Sequence, residues 1–144
     1  KATNWKEFGG PDATIILYGR ENSSGTYVYF KDKVLEGEDY AANMQTMPGT
    51  AAVVNTVAKD NNGIGYGGAA YARGVKFLKV KQSPESPGYE PTEENVKSNK
   101  YPITRFLYMY TRSRPTGTLK SFIDWTLGSE GQEIVKKVGY FPVR

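Results

Sequence analysis

The sequence predicts an α/β fold in which a mixed sheet is flanked by helices. A β-branched apolar run, ATIILYGR at 13–20, is typical of a buried strand. The stretch GTYVYFKDKVLEG at 25–37 follows it, and its apolar residues recur at helical spacing. A second helical pattern covers 48–63, ahead of further strand-like sequence. Strands that alternate with helices are the pattern of α/β domains.

Length and composition are those of a globular chain. The 144 residues suffice for one compact domain or for a large piece of a longer protein, and 38% are hydrophobic and 24% charged. No apolar run is long enough for a transmembrane helix. The opening KATNWKEFGG lacks the apolar core of a signal peptide, so we expect either a cytosolic protein or a mature or trimmed form.

The absence of two residue types excludes several kinds of site. The sequence contains neither cysteine nor histidine, which excludes disulfides, thiolate catalysis, Ser-His-Asp triads and histidine metal sites. We therefore expect no enzyme activity and no metal. The formal charge of +4 mildly favours anionic partners, although the lysines are scattered along the chain.

Boundary signals place the first elements. Asn4 and Glu7 form a capping-box pattern, which predicts a helical turn at 5–8. After the strand at 13–20, a helix is expected to begin near Gly25, and Gly37 suits its end. The stretch EDYAANMQTMPGT, which follows Gly37, has no clear pattern and is expected to be irregular.

The middle of the chain predicts a helix at 48–63, which opens near a proline and ends at Asn-Gly. GIGYGGAAYA and VKFLKVK are then interpreted as strands around a turn. A short helix at 92–98 should be capped by Thr92, and YPITRFLYMYT at 101–111 predicts a long strand.

The last stretch predicts two helices. LKSFIDWTLG has apolar residues at helical spacing. The next helix, EGQEIVKKVG, is preceded by Ser129, which with Gln132 suggests a capping box. Gly139 suits the position just past its end.

Three candidate sites have a structural explanation that we prefer. GIGYGG at 63–68 matches the glycine spacing of dinucleotide-binding turns, but it follows a helix and leads into strand-like sequence, so we expect a tightly packed strand. The many tyrosines, lysines and arginines do not form a stacking platform, and we expect no nucleic acid. The acidic cluster at 36–39 is interpreted as a solvated loop.

The stretch GRENSSGTYVYF at 19–30 is the strongest candidate. The first amides of a helix lack intrahelical acceptors, and Gly25 lets an anion approach them. Ser24 and Thr26 add hydroxyl donors, and Arg20 adds a forked, charged donor. These residues suit a tetrahedral oxyanion. The alternative is simple capping by Ser23 or Ser24, with Arg20 paired to a surface acid. Ser24 as an enzymatic nucleophile would lack a histidine base.

The chain resembles the phosphate-binding receptor of bacterial phosphate ABC importers, a type II periplasmic binding protein. The motifs that carry the resemblance run in order from NWKEFGGPDATI through GRENSSGTYVYF, GIGYGGAAYA and YPITRFLYMYT to FIDWTLGSEGQEIVKKVGYFP. The resemblance implies that Arg20, Ser24, Gly25 and Thr26 contact phosphate, with Asn22 and Ser23 in supporting positions. The family often has aspartate, which holds the guanidinium, where this chain has Asn22.

The resemblance also implies how the chain is organised. Residues 1–112 correspond to the second lobe of the receptor, and residues 113–144 to a helical segment that returns to the first lobe. The first lobe, which supplies the carboxylate that accepts phosphate's proton, has no counterpart here. The implied function is phosphate binding, without a cofactor, in an importer's periplasmic or surface-anchored receptor that works with membrane subunits. The alternative is an interaction module that pairs with another chain or with itself.

Overall fold

The computed structural model describes residues 2–143, which divide into two compact units, Lys1–Lys76 and Phe77–Arg144. The sequence-based division at residue 112 stays a prediction. Within residues 2–143, no helix combines the length and the apolar character needed to cross a bilayer.

The first unit is built on a parallel sheet. Its strands are β1 (Ile16–Arg20), β2 (Gln45–Met47) and β3 (Gly63–Gly65), in the order β2-β1-β3. Helix α1 (Gly25–Val34) joins β1 to β2, and α2 (Thr50–Val57) joins β2 to β3. The α/β class is confirmed. The described strand ladders are all parallel, and the two antiparallel pairings are single bridges.

The core of this unit lies between β1 and α2. Ile15, Tyr18 and Val53 are its buried apolar residues, and Val53 is only 2% exposed. Gly65 on β3 permits this packing, because a Cβ there would lie 2.8 Å from a methyl carbon of Val53.

The predicted turn at 5–8 is confirmed as a 3-10 helix, Trp5–Phe8, with its capping box. The Trp5 indole N–H donates to the carbonyl of Asn62 at 3.0 Å.

The described part of the second unit contains three helices, α3 (Glu93–Lys97), α4 (Gly117–Leu127) and α5 (Ser129–Val138). Thr92 caps α3 as predicted. The predicted capping box of α5 is wrong, because Gly128 is its N-cap residue. The buried Gln132 side chain instead donates to the carbonyl of Thr126 at 2.9 Å and accepts from the amide of Val143 at 2.8 Å.

Several predicted strands differ from the structure for one physical reason. A strand needs a neighbour with which its backbone can pair. Within residues 2–143, no strand pairs with 101–111, so the predicted long strand is wrong. VKFLKVK forms only one bridge, from Val80 to Tyr89. Conversely, Gln45–Met47 was expected to be irregular, yet it forms β2 because β1 offers a free edge.

Candidate functional site

The carboxyl edge of the sheet brings together the ends of β1 and β2 and the starts of α1 and α2. In parallel α/β sheets, the helix that follows each strand begins at this edge, so the first-turn amides of both helices face the same region. β1 ends at Arg20, and α1 begins at Gly25. The predicted boundary between strand and helix is therefore confirmed.

A tight turn connects β1 to α1. The amide of Ser24 donates to the carbonyl of Glu21 at 3.0 Å, which closes the turn over 21–24. The buried Ser24 is the N-cap residue, and its Oγ accepts from the amides of Thr26 at 3.2 Å and Tyr27 at 3.4 Å. A hydroxyl has two acceptor lone pairs and one donor hydrogen. Because both lone pairs are engaged, Ser24 can interact with an anion by donating its O–H.

The Arg20 side chain lies along this edge and is only 15% exposed. Its Nη1 donates to the Oγ1 of Thr50 at 2.8 Å, and its Nη2 donates to the Oε1 of Glu21 at 3.3 Å. Thr50, at the start of α2, is itself buried. The guanidinium therefore connects the end of one strand to the first turn of the second helix.

The pair formed by Arg20 and Glu21 is ionised and partly buried. The backbone N–H of Glu21 and then the Arg20 guanidinium hold the pKa of the Glu21 carboxyl below its usual range. Among residues 2–143, the Nε of Arg20 and the Oε2 of Glu21 are buried without a hydrogen-bond partner. One hydrogen bond therefore joins these two side chains, where a bidentate ion pair would have two.

An aromatic cluster of Tyr27, Phe30, Tyr40 and Tyr66 lies beside the start of α1. The rings of Phe30 and Tyr66 stack with centroids 4.1 Å apart. The Tyr66 hydroxyl accepts from the amide of Arg20 at 3.2 Å, and the Tyr40 hydroxyl donates to the carbonyl of Tyr27 at 2.8 Å. Burial is the main cause that raises the pKa of Tyr40. The contact from Tyr66 helps to hold the backbone at Arg20.

The sequence-predicted site residues occupy one short segment. Arg20 ends β1, while Ser24, Gly25 and Thr26 form the cap and first turn of α1. Asn22 and Ser23 lie exposed in the intervening turn. The contacts of the alternative interpretation, capping by Ser24 and an acid paired to Arg20, are both present. Contact of these residues with an anion stays a prediction.

Sequence reasoning missed two residues of this edge, Glu21 and Thr50. Glu21, rather than Asn22, pairs with the guanidinium. Its acidic side chain directly after Arg20 was the available signal. Thr50 lies thirty residues away along the chain, so only the return of the chain through β2 could reveal it.

Three other features of residues 2–143 lie outside the segment 20–26. Among residues 2–143, no group of three or more carboxylates has metal-binding geometry. GIGYGG leads from β3 to a 3-10 helix, Ala69–Tyr71, rather than opening an α-helix. A surface hollow of about 480 Å³, lined by Tyr18, Asn55, Thr56 and 59–62, lies at the amino edge of β3, opposite the candidate site.

The chain is similar to several known proteins. Residues 1–130 match the PBP superfamily domain. The phosphate-binding protein PstS of Pseudomonas aeruginosa is 37% identical over 134 residues, which cover 90% of this chain and 42% of the relative. The Bacillus subtilis PstS is 33% identical over 144 residues, covering 99% of this chain and 46% of the relative. The chain thus spans about half the length of these relatives.

Solved structures extend the comparison to the fold. A Clostridium perfringens protein described as a phosphate ABC transporter substrate-binding protein with bound phosphate superposes with a TM-score of 0.84 at 37% identity. PstS of Borrelia burgdorferi superposes with a TM-score of 0.68 at 31% identity. Each alignment covers 99% of this chain and 58% of the other. The predicted resemblance and the periplasmic-binding-protein-like lobe are confirmed.

Proposed function

The chain belongs to the PBP superfamily, and on that premise we propose that it binds inorganic phosphate, or a similar oxyanion, within the solute receptor of an ABC-type phosphate importer. The proposed site is the carboxyl edge described above. Arg20, Ser24, Gly25 and Thr26 are its ligand-binding residues.

One observation carries the proposal. The largely buried guanidinium of Arg20 and the capped amino terminus of α1 are only one tight turn apart. The helix dipole places partial positive charge at its first amides, and the guanidinium adds a full charge. Both favour an anion, and charge-assisted hydrogen bonds are about twice as strong as neutral ones.

Each residue has a distinct role in this proposal. Arg20 neutralises the anion through its Nη groups, each of which carries two N–H donors. Ser24 donates its O–H while its lone pairs keep the helix capped. Gly25 leaves the first amide open to close approach, because no Cβ covers it. Thr26 contributes a second hydroxyl. Binding needs no bond to be broken, so the proposed protein is a receptor and not an enzyme.

The proposed receptor is larger than this chain. The relatives and solved structures that it matches are about twice as long. We assign residues 1–112 to a second lobe and 113–144 to a segment that returns to the first lobe. That first lobe supplies the remaining donors and the carboxylate that distinguishes protonated phosphate from sulfate. In this assignment the receptor lies in the periplasm or on the cell surface and delivers phosphate to the importer's membrane subunits.

A phosphate titration followed by NMR tests the site. One lobe leaves half the anion in water, so we expect weak binding and little discrimination against sulfate or arsenate. Added phosphate should shift the amide signals of residues 20–26 more than those of the distant hollow at 59–62. If the signals of 20–26 stay unmoved while others respond, the assigned site is wrong.

A second function is favoured by exposed apolar residues in the second unit. The segment 106–110 carries five exposed large side chains, including Tyr110, which is 90% exposed. On α4, Phe122 and Trp125 are also exposed. Such a surface marks an interaction site, which suits a module that pairs with a complementary chain or with itself. Sedimentation that shows association at rising concentration, together with a lack of response to phosphate, would favour this function.

A further inference from the structure

We propose that Thr50 is a positioning residue for the anion site, which works with Glu21 to hold the Arg20 guanidinium in one orientation. This inference rests on the proposed function, because it assigns Arg20 to the anion. Neither Thr50 nor Glu21 needs to touch the anion in this role. They act through Arg20.

The contacts of the guanidinium lead to this proposal. Nη1 donates to Thr50 at 2.8 Å, and Nη2 donates to Glu21 at 3.3 Å. A planar guanidinium that is hydrogen-bonded at both Nη atoms cannot rotate about its Cζ–N bonds without breaking a bond. Each Nη still carries a second N–H. The two contacts therefore orient the remaining donors before any anion arrives, which lowers the entropy lost on binding.

The surroundings of Thr50 fix its hydroxyl. A Cβ on Gly67 would lie 2.5 Å from the Thr50 methyl carbon, so the backbone at Gly67 packs directly against that methyl. Threonine has few χ1 rotamers, and packing of the methyl selects among them. The hydroxyl is also not used as a helix cap, since Gly49 is the N-cap residue of α2. Thr50 is thus held with its oxygen toward Arg20.

Glu21 holds the other side of the guanidinium. Its carboxylate is the only acid hydrogen-bonded to Arg20 among residues 2–143. The acid directly follows Arg20 in the chain. Because Glu21 is negative, it also repels a nearby anion. Thr50 supplies a neutral second contact that adds no such repulsion. Its substitution therefore tests positioning without changing the charge near the anion.

Matched variants of the full chain separate positioning from folding. Thr50→Val removes the hydroxyl and keeps the shape, and Thr50→Ser keeps the hydroxyl. Thr56→Val is the control, because Thr56 lies on the same helix and its hydroxyl donates to the carbonyl of Ala52 within the helix. Glu21→Ala, which removes the acceptor of the second contact, tests that contact if Thr50→Val fails to fold.

The first readout needs no anion. The ¹H–¹⁵N signals of the Arg20 guanidinium, assigned by their loss in Arg20→Lys, report rotation about the Cζ–N bonds. We expect slow rotation and resolved Nη signals in the wild type, Thr50→Ser and Thr56→Val. Thr50→Val, or Glu21→Ala in its place, should show faster rotation and merged signals. Guanidinium signals that Thr50→Val leaves unchanged would overturn the positioning role.

The second readout is phosphate affinity by NMR titration. Loss of one orienting hydrogen bond should weaken phosphate binding about threefold to tenfold in Thr50→Val, with recovery in Thr50→Ser. If Arg20→Ala weakens binding but Thr50→Val does not, the inference fails and the proposed function stands. If Arg20→Ala binds phosphate like the wild type, the proposed function fails. The guanidinium signals then still show whether Thr50 orients Arg20.

Discussion

The Nη1 of Arg20 lies 2.8 Å from the hydroxyl oxygen of Thr50, thirty residues further along the chain. This contact joins the end of β1 to the start of α2 at the carboxyl edge of the sheet. It depends on the parallel pairing of β1 with β2, which aligns Arg20 with Met47 just before α2 begins. The candidate anion site is therefore a product of the sheet register as well as of the local GRENSSGT sequence.

Replacement of Ser24 by alanine should destabilise the first unit. The Ser24 hydroxyl accepts from two amides of α1, and loss of an N-cap side chain costs about 1 kcal/mol. Urea unfolding measures the change. Ser23→Ala is the control, since Ser23 lies exposed in the turn. Equal stability of the two variants would show that Ser24 does not cap the helix in solution.

Gly65→Ala should destabilise the core of the first unit. The new Cβ would lie 2.8 Å from a methyl carbon of Val53 and 3.0 Å from the carbonyl oxygen of Tyr18. The carbonyl oxygen belongs to the backbone of β1, so it cannot move aside without disturbing the sheet. Overpacking of this kind costs about 1–3 kcal/mol. Gly68→Ala is the control, because its Cβ would meet only the Tyr71 ring at 3.7 Å. Thermal unfolding that ranks the two variants alike would contradict the described packing.

The ion pairs of Glu93 in the second unit predict that the stability of the fold depends on pH. Lys136 and then Lys97, each with Nζ 2.9 Å from a Glu93 carboxylate oxygen, hold the pKa of that carboxyl below its usual range. A lowered pKa in the folded state contributes stability above the unfolded-state pKa, and this contribution is lost as the pH falls through the folded-state pKa.

Unfolding of wild type and Glu93→Gln across acidic pH tests this linkage. The difference between the two proteins should be constant near neutral pH and should vanish at acidic pH. Glu94→Gln is the control, because no lysine contact accompanies Glu94 in the described ion pairs. A difference that persists to the lowest pH would exclude the ion pairs as its source.

Local sequence patterns predicted most of the helices, because capping residues and helical spacing act over a few neighbours. Thr92 marks the start of α3, and Gly139 follows α5 with a positive φ of 98°. The predicted helices at 25–37 and 48–63 are shorter in the structure, ending at Val34 and Val57. The segments beyond them close as turns instead.

Features that depend on distant partners could not be predicted in the same way. β2 is a three-residue strand whose polar sequence gives no signal, and only pairing with β1 defines it. The segment 101–111 has strand-like residues, yet no strand among residues 2–143 pairs with it. At the site, the local motif indicated Arg20 and Ser24, whereas Thr50 is reached only through the fold.

Calorimetric titration of phosphate into the wild type and Arg20→Ala tests the central claim most directly. Arg20 contributes a full positive charge at the proposed site, and hydrogen bonds to charged groups contribute about 1.5–3 kcal/mol. Phosphate affinity should therefore fall roughly tenfold to a hundredfold in Arg20→Ala. Arg73→Ala, which removes an exposed arginine from the same unit, should bind like the wild type. Equal phosphate affinity of Arg20→Ala and the wild type would contradict the account.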